Sequence, residues 1–237
     1  RLVAASSGRF RSSRNMLQPG AVIGTYVVLE ELSRGGMGVV SRVRGPDGKD
    51  YAMKTLVRAR GNEREVARFE REATVLGQLA HPGVVRMVDH GVEDGTPWFV
   101  MSLVEGRTLH DLVQESLRTT GRPPDAPTVL EVMEALAAGL AYCHDLGVVH
   151  RDLKPSNVVL EQQSGRPILI DFGLVKGTGD GGLDGLSQAL SKTGEMLGTP
   201  AFMSPEQLEA GPISAAADVW AFGATLVFCL TGRELFQ

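Results

Sequence analysis

The chain has 237 residues, of which 43% are hydrophobic and 22% charged, a balance typical of a soluble globular protein with one large domain or two small lobes. Its formal charge of −4 argues against broad electrostatic binding of nucleic acid. The two cysteines, Cys143 and Cys229, lie in apolar stretches without metal-ligand spacing, so the sequence predicts buried, reduced thiols.

The two ends of the chain carry distinct signals. Residues 1–20 contain four arginines and no acidic residue, and this serine-rich stretch predicts a disordered basic arm or linker. The apolar run Ala215–Thr231 is short for a membrane span and carries Asp218, so it predicts a buried core helix and no span in this chain. A start at Arg1 and an end soon after that run suggest a piece of a longer protein.

Residues 21–105 alternate short β-rich runs with glycine turns. The runs YVVLEEL, VVSRVR and DYAMKTLV predict strands, and GPDGK before the last of them predicts a hairpin. Apolar residues then recur at helical spacing from Val66 to Ala80, behind a predicted capping box of Asn62 and Glu65. Two more strand-like runs, VVRMVDHG and PWFVMSLV, complete a predicted antiparallel β unit with one helix.

The stretch LSRGGMGVV, residues 32–40, is similar to a glycine-rich phosphate loop in which Ser33 takes the place of the first of three spaced glycines. If that position needed a positive φ angle, a serine there would cost roughly 1–2 kcal/mol. Nucleotide binding would then weaken about tenfold without being abolished. The later two glycines, Gly35 and Gly38, are retained.

Residues 106–237 have mainly helical patterns. TLHDLVQESL predicts a short helix, and Thr128 with Glu131 predicts a capping box for a long helix that Gly147 ends. NVVL and PILI predict two short strands. Ser204 and Gln207 form a further predicted capping box, with proline at the first helical position.

Chemistry-bearing residues concentrate in two segments of this second half. HRDLKPSN, residues 150–157, lies between a predicted helix and a strand pair, and loops held by rigid elements often carry catalytic residues. DFG, residues 171–173, directly follows the apolar strand ILI, which suits Asp171 to binding a cation. Taken alone, Lys54 on a strand and Glu72 on a helix would both be expected to face solvent.

Together these segments match the protein-kinase signature set in order and spacing, from the glycine loop and AMK through the helix Glu, HRDLKPSN and DFG to SPE. From about Tyr26 to Gly232 the chain resembles a serine/threonine protein kinase, and DLKPSN, GTPAFMSPEQ and DVWAFG are similar to bacterial, eukaryotic-like members. The resemblance implies an α+β, bilobal fold. Its small antiparallel β lobe with one helix and the hinge would span residues 21–105, and its larger, mainly helical lobe, truncated after the central core helix, residues 106–237.

The resemblance also implies ATP and Mg²⁺ as cofactors, with Mn²⁺ as an alternative metal. Lys54 would grip the α- and β-phosphates and would be oriented by an ion pair with Glu72. Asp171 would ligate a Mg²⁺ that bridges the β- and γ-phosphates, and Asn157 would hold a second one.

Two residues of the same loop would act on the transferred group. Asp152 would orient the substrate hydroxyl and accept its proton. Lys154 would stabilise the transferring phosphoryl, and the resemblance links a lysine here with serine and threonine rather than tyrosine substrates.

The resemblance carries over a nucleotide pocket. Val40 and Ala52 would form its roof, Val159 its floor and Met101 its gatekeeper, with the backbone of residues 102–104 contacting the adenine edge. The ATP-binding residues implied in this way are Leu32, Ser33, Arg34, Gly35, Gly36, Met37, Gly38, Val40, Ala52, Lys54, Met101, Val104 and Val159.

Regulation and partners follow from the same resemblance. Arg151 would pair with a phosphorylated activation-loop residue, with Thr193 as the first choice of acceptor and Ser191 and Ser187 as the others. A loop with unmodified hydroxyls is the alternative. The expected partners are protein substrates with Ser or Thr acceptors and a homodimer for autophosphorylation. The expected location is the cytoplasm, unless a region outside this chain anchors the protein to a membrane.

Two other classes of protein share the fold that this resemblance implies. A pseudokinase or nucleotide-binding scaffold usually lacks residues equivalent to Lys54, Asp152 or Asp171, and all three are present. A small-molecule phosphotransferase that shares the fold is disfavoured by the SPE segment, the long activation loop and Arg151. The expected enzyme is therefore a non-specific serine/threonine protein kinase.

Overall fold

The computed structural model describes residues 17–35, 38–56, 63–172, 200–209 and 211–236, without the side chains of Glu63, Arg64, Glu65, Arg68 and Glu72. The chain divides into two compact units. The first contains the residues up to Ala73 together with Val88–Leu103, and the second contains Thr74–Met87 and the residues from Val104 onward.

The first unit is built on a six-stranded sheet with the strand order β1-β2-β3-β4-β6-β5. Its strands are β1 Val22–Ile23, β2 Tyr26–Gly35, β3 Gly38–Arg44, β4 Asp50–Thr55, β5 Met87–Glu93 and β6 Thr96–Ser102, and α1 Glu63–Leu76 begins in this unit. The turn between β5 and β6 has Asp94 and Gly95 at φ 48° and 72°, the conformation that Asp-Gly hairpins favour. The antiparallel β unit with one helix is thus as expected.

Both faces of this sheet carry buried residues. On one face Phe69 of α1 packs against Phe99 of β6, with ring centroids 6.1 Å apart. The other face carries a hydrophobic cluster of Leu17, Ile23, Tyr26, Val28, Val39, Val43, Met53, Trp98 and Val100. Residues 17–20, assigned from sequence to the basic arm, lie against this cluster, because Leu17 is buried and the N–H of Gly20 donates to the carbonyl of Val28 at 2.8 Å.

The second unit is mainly helical and has a small sheet of strand order β7-β8-β9. Its elements are β7 Gly106–Thr108, α2 Leu109–Thr120, α3 Ala126–Asp145, a 3₁₀ turn Pro155–Asn157, β8 Val158–Glu161, β9 Pro167–Leu169, a 3₁₀ turn Pro200–Phe202, α4 Pro205–Leu208 and α5 Ala215–Thr231. The segment HRDLKPSN therefore runs from the residues after α3 to the turn before β8.

The start of α3 differs from the predicted capping box. The N-cap is Asp125, whose side chain accepts the N–H of Thr128 at 2.9 Å, so the helix begins earlier than a Thr128 cap would allow. A carboxylate caps a helix N-terminus well because it satisfies an otherwise unpaired N–H. The predicted end is correct, since Gly147 follows the helix with a φ of 73°.

Helix α5 is the buried core helix that its apolar run predicted. Asp218 is only 1% exposed, and α5 packs against α3. Cys143 and Cys229 are buried and free, and burial raises the pKa of their thiols to about 11 and about 12 respectively. Within the described ranges α3 has the length and hydropathy of a membrane span, a property that core helices share.

Candidate active site

The loop after α3 is anchored by one buried carboxylate. Asp218 on α5 accepts the backbone N–H of His150 at 2.7 Å on Oδ2 and that of Arg151 at 2.8 Å on Oδ1. Its Oδ2 also lies 2.8 Å from Nε2 of His144 near the end of α3. Because Asp218 bonds to the main chain, the loop backbone is fixed to the core helix regardless of its side chains.

This anchoring holds the loop in a strained conformation. Arg151 has a φ of 65° and Asp171 a φ of 59°, in the left-handed region that non-glycine residues rarely occupy. Such conformations cost on the order of 1–3 kcal/mol each and persist only where the surrounding structure imposes them. They cluster at functional sites, and here they fall in the two segments that the sequence singled out.

Three predicted catalytic residues come together in this loop. The Asn157 amide donates from Nδ2 to the Asp152 carbonyl at 2.8 Å and to Asp152 Oδ2 at 3.1 Å. Lys154 Nζ lies 3.3 Å from the same Oδ2, with both side chains partly exposed. The Asp152 carboxylate is therefore oriented by an amide and accompanied by a cation.

His150 joins the loop to the segment that carries Asp171. Its fully buried ring lies with Nε2 3.0 Å from the carbonyl of Ile170 and with Nδ1 accepting the N–H of Asp152 at 3.3 Å. Burial lowers the pKa of His150, which favours the neutral ring with its proton on Nε2. The ring centroid also lies 4.6 Å from that of Phe172.

Asp171 is tied to the same loop through the backbone. The N–H of Ile170 donates to the carbonyl of Asn157 at 2.9 Å, and Asp171 follows directly. Both Asn157 Nδ2 contacts go to Asp152, which leaves Oδ1 as the acceptor end of that amide.

The side chains of Asn157 and Asp171 offer the donor types that a magnesium ion prefers. Amide and carboxylate oxygens are its preferred ligands, and Mg²⁺ commonly takes only one or two carboxylates together with substrate phosphates. A cluster of three or more His, Cys, Asp or Glu ligands is absent from the described ranges. The donor set therefore suits a cation shared with a phosphate substrate rather than a cage made by protein alone.

In the first unit, four of the predicted nucleotide-binding residues share one sheet region. Lys54 is paired across strands with Val40, and Ala52 with Met101. Lys54 is 9% exposed, so it is not the solvent-facing lysine expected of an isolated strand position. A buried lysine on a strand is uncommon and marks the position as special.

The backbone conformation at Ser33 shows why this position does not need a glycine. Ser33 lies within β2, paired with Val40 of β3, and is exposed like its neighbours Leu32 and Arg34. In the described part of the chain, the non-glycine residues with positive φ are Asp94, Arg151 and Asp171. The condition for a backbone penalty at this position, a positive φ angle, is therefore not met.

In contrast to Ser33, Gly38 occupies a position where only glycine fits. A Cβ at this position would lie 2.1 Å from the carbonyl oxygen of Thr55, a contact that no side chain tolerates. Gly35, its partner across the β2–β3 pair, has open space around it.

Replacing Ser33 with glycine is expected to leave ATP affinity within about threefold of the wild-type value, because it relieves no left-handed strain. Isothermal titration calorimetry with ATP measures this directly. Gly38→Ala is the matched comparison, and it should weaken binding because β3 must shift away from Thr55. Several-fold tighter binding by Ser33→Gly would show that the loop needs a glycine conformation there.

The remaining predicted residues fall into two groups. In the second unit Val159 is buried on β8, opposite Thr108 and Ile168, and Val104 is half-buried. The others lie outside the described residues or side chains: Gly36, Met37, the side chain of Glu72, Ser187, Ser191 and Thr193.

Sequence reasoning missed three residues that shape the loop. Asp218 was noted only as a charge within the core helix, His144 was not singled out, and Gln207 was identified only as a helix cap. Gln207 does cap α4, with Oε1 accepting the N–H of Ser204 at 3.0 Å, but its Nε2 also donates to the carbonyl of Arg151 at 2.8 Å. The DVWAFG and SPEQ segments contained Asp218 and Gln207, yet no local pattern indicated their long-range bonds.

A mainly β unit with a buried strand lysine, and a helical unit whose strained loop presents Asp152, Lys154 and Asn157, are the features that the resemblance to the protein kinase class predicts. The protein kinase domain family matches residues 26–237, and the chain belongs to this family.

Several of its relatives are bacterial serine/threonine-protein kinases. The chain is 34% identical over 225 residues to the serine/threonine-protein kinase PknJ of Mycobacterium tuberculosis, covering 93% of this chain and 36% of PknJ. It is 37% identical over 227 residues to the serine/threonine-protein kinase PkaA of Streptomyces coelicolor, covering 89% of this chain and 39% of PkaA. The chain thus spans little more than a third of the length of these curated relatives.

Comparison with solved structures also identifies a protein kinase fold. The crystal structure of a mutant of the PknI kinase domain of Mycobacterium tuberculosis, with one cysteine replaced by alanine, superimposes with a TM-score of 0.73 at 27% identity, covering 93% of this chain and 79% of that one. The predicted resemblance to bacterial serine/threonine protein kinases and the predicted α+β kinase fold are both confirmed.

Proposed function

We propose that the protein transfers the γ-phosphoryl group of Mg-ATP to serine or threonine hydroxyls of proteins. The observation that carries the proposal is the Asp152 carboxylate, held by the Asn157 amide at 3.1 Å and accompanied by Lys154 Nζ at 3.3 Å. A positioned carboxylate beside a cation is what phosphoryl transfer to a hydroxyl requires of a protein.

Asp152 is the proposed acceptor of the hydroxyl proton. The amide of Asn157 fixes the direction of its carboxylate, so the group does not have to reorganise when the hydroxyl arrives. Lys154, 20% exposed, can turn its ammonium toward the negative charge of the transferred group while remaining near Asp152. A compact cation with rotatable donors suits this role.

Asp171 and Asn157 are the proposed ligands of Mg²⁺, with Mn²⁺ as an alternative. When bound, the metal neutralises phosphate charge and so favours the transfer. The chain contributes the rigid backbone that carries these ligands, since the N–H of Ile170 is bonded to the carbonyl of Asn157 at 2.9 Å. The positive φ of Asp171 gives its side chain a direction that an extended backbone at this residue would not give.

In the first unit, Lys54 is the proposed phosphate ligand. Its burial and its place beside Val40 on the neighbouring strand fix the direction of the ammonium. Glu72 on α1 is the proposed partner of that ammonium. Val40, Ala52 and Met101, with Val104 and Val159 of the second unit, are the proposed apolar contacts of the adenine.

Regulation by autophosphorylation belongs to the same proposal. Arg151 directly precedes Asp152, and a phosphate on Thr193, Ser191 or Ser187 would supply the anion for its guanidinium. A homodimer in which one copy phosphorylates the other is one route to such a modification. We propose a cytoplasmic location for the catalytic unit.

A phosphotransfer assay tests the function. The purified chain is incubated with radiolabelled ATP, Mg²⁺ and casein as the probe substrate, and phosphoamino acids are identified after hydrolysis. Phosphoserine or phosphothreonine that requires Mg²⁺ and is lost with a chelator supports the proposal, and mass spectrometry of peptide 187–193 tests autophosphorylation. Nucleotide binding without any transfer would instead support a nucleotide-binding scaffold.

A further inference from the structure

The peptide group between Arg151 and Asp152 is bonded at both of its polar atoms. Its carbonyl accepts the Nε2–H of Gln207 at 2.8 Å, and its N–H donates to Nδ1 of His150 at 3.3 Å. The N–H of the preceding peptide group is held by Asp218 at 2.8 Å. The plane of the peptide that carries Asp152 is therefore fixed from three directions, and Gln207 supplies one of them.

Gln207 is itself immobilised. Its Oε1 accepts the N–H of Ser204 at 3.0 Å, and Ser204 is fully buried. With the oxygen of the amide bonded to Ser204 and the nitrogen bonded to Arg151, the side chain has a single orientation that satisfies both. Any shift of residues 204–207 is therefore transmitted to the carbonyl of Arg151.

The bond to Arg151 is not needed for the helix cap. A capping box uses the side-chain oxygen at this position, and Glu serves as well as Gln. Only Gln also provides an N–H donor, and it is this donor that reaches the catalytic loop, 56 residues earlier in the chain. The choice of Gln over Glu is therefore explained by the loop rather than by the helix.

We infer that Gln207 is a positioning residue for Asp152, which couples residues 204–207 to the orientation of the catalytic carboxylate. This inference rests on the proposed function of Asp152. Gln207 acts on the carbonyl of Arg151, a residue at φ 65° whose peptide orientation depends on outside bonds. Loss of the donor lets that peptide rotate, and the carboxylate follows.

The variant Gln207→Glu separates the two roles. It keeps the acceptor for Ser204, removes the donor, and sets a carboxylate against the carbonyl oxygen of Arg151. We expect kcat for casein phosphorylation to fall about 10- to 100-fold, because small misplacements of a catalytic group have effects of this size. The KM for ATP should change less than about threefold.

A pH profile provides a second readout. A protonated Glu carries an O–H donor, so the ratio of Gln207→Glu to wild-type activity should rise as the pH falls toward 5. Gln207→Met, which lacks donor and acceptor at every pH, should show no such recovery. Gln162→Glu, on the exposed turn after β8, is the matched control and should behave like wild type throughout.

Amide hydrogen exchange decides the question independently of activity. In Gln207→Glu the amides of residues 150–153 should exchange at least about tenfold faster than in wild type, because local opening is easier. Unchanged exchange, or a kcat equal to wild type, would overturn the inference. A wild-type chain that transfers no phosphate would contradict the proposed function instead, while the exchange result would still decide the role of Gln207.

Discussion

Replacing Asp152 with asparagine is expected to lower the rate of phosphoryl transfer by about 10²- to 10⁴-fold, the usual contribution of a general base. Asparagine is nearly isosteric, and its oxygen can still accept the amide of Asn157 that Asp152 accepts at 3.1 Å. The loop should therefore keep its shape while losing the group that takes up the proton. Steady-state kinetics with casein, together with the melting temperature, separates these effects.

Asp145→Asn is the matched control for this experiment. Asp145 is the exposed last residue of α3, close in sequence to the same loop, and the change removes the same charge. It should leave kcat and stability near their wild-type values. If Asp152→Asn retained full activity, proton transfer through this carboxylate would be excluded and the catalytic assignment of the loop would be wrong.

The second large effect is expected at Asp218, and it is an effect on stability as well as on rate. Asp218→Ala leaves two buried backbone N–H groups, those of His150 and Arg151, without their acceptor. Each buried donor without a partner costs about 1–3 kcal/mol, so the free energy of unfolding should fall by roughly 3–5 kcal/mol. Urea denaturation followed by circular dichroism measures this difference.

Asp218→Asn is the more informative change if the alanine variant does not fold. The carboxylate accepts on both oxygens, whereas an amide has one oxygen and would set its NH₂ against a backbone N–H. We expect a smaller loss of stability and a loss of activity at least tenfold, because the loop backbone moves. Glu134→Gln, an exposed charge removal on α3, is the control, and equal activities of the two variants would contradict the anchoring role.

What the sequence could predict was local. The loop HRDLKPSN and the DFG segment were found because their residues are neighbours in the chain. The structure places both Asn157 Nδ2 and Lys154 Nζ within 3.3 Å of Asp152 Oδ2. The buried run of α5 was predicted because a helix that is apolar all round has to be covered. Gln207 was correctly placed in a capping box because that motif spans four residues.

What the sequence could not predict was distant or depended on the backbone. Asp218 bonds to N–H groups 67 and 68 residues earlier, and a backbone donor leaves no signature in the side-chain pattern. A strain at Ser33 was made conditional on a positive φ angle because a glycine is missing there, yet the residue lies in a strand, beside a register shift, without a positive φ. At α3 two good caps, Asp125 and Thr128, compete, and proline in the first turn was the clue that favours Asp125.

The left-handed conformation of Arg151 has a consequence for folding order. The segment 150–152 cannot adopt this shape by itself, because the conformation is unfavourable and its stabilising acceptor lies on α5, 68 residues away. Contacts between distant parts of a chain form only after the entropy of loop closure has been overcome. We therefore expect helices and strands to assemble before the catalytic loop, so that a chain with complete secondary structure can still be a kinase without a working centre.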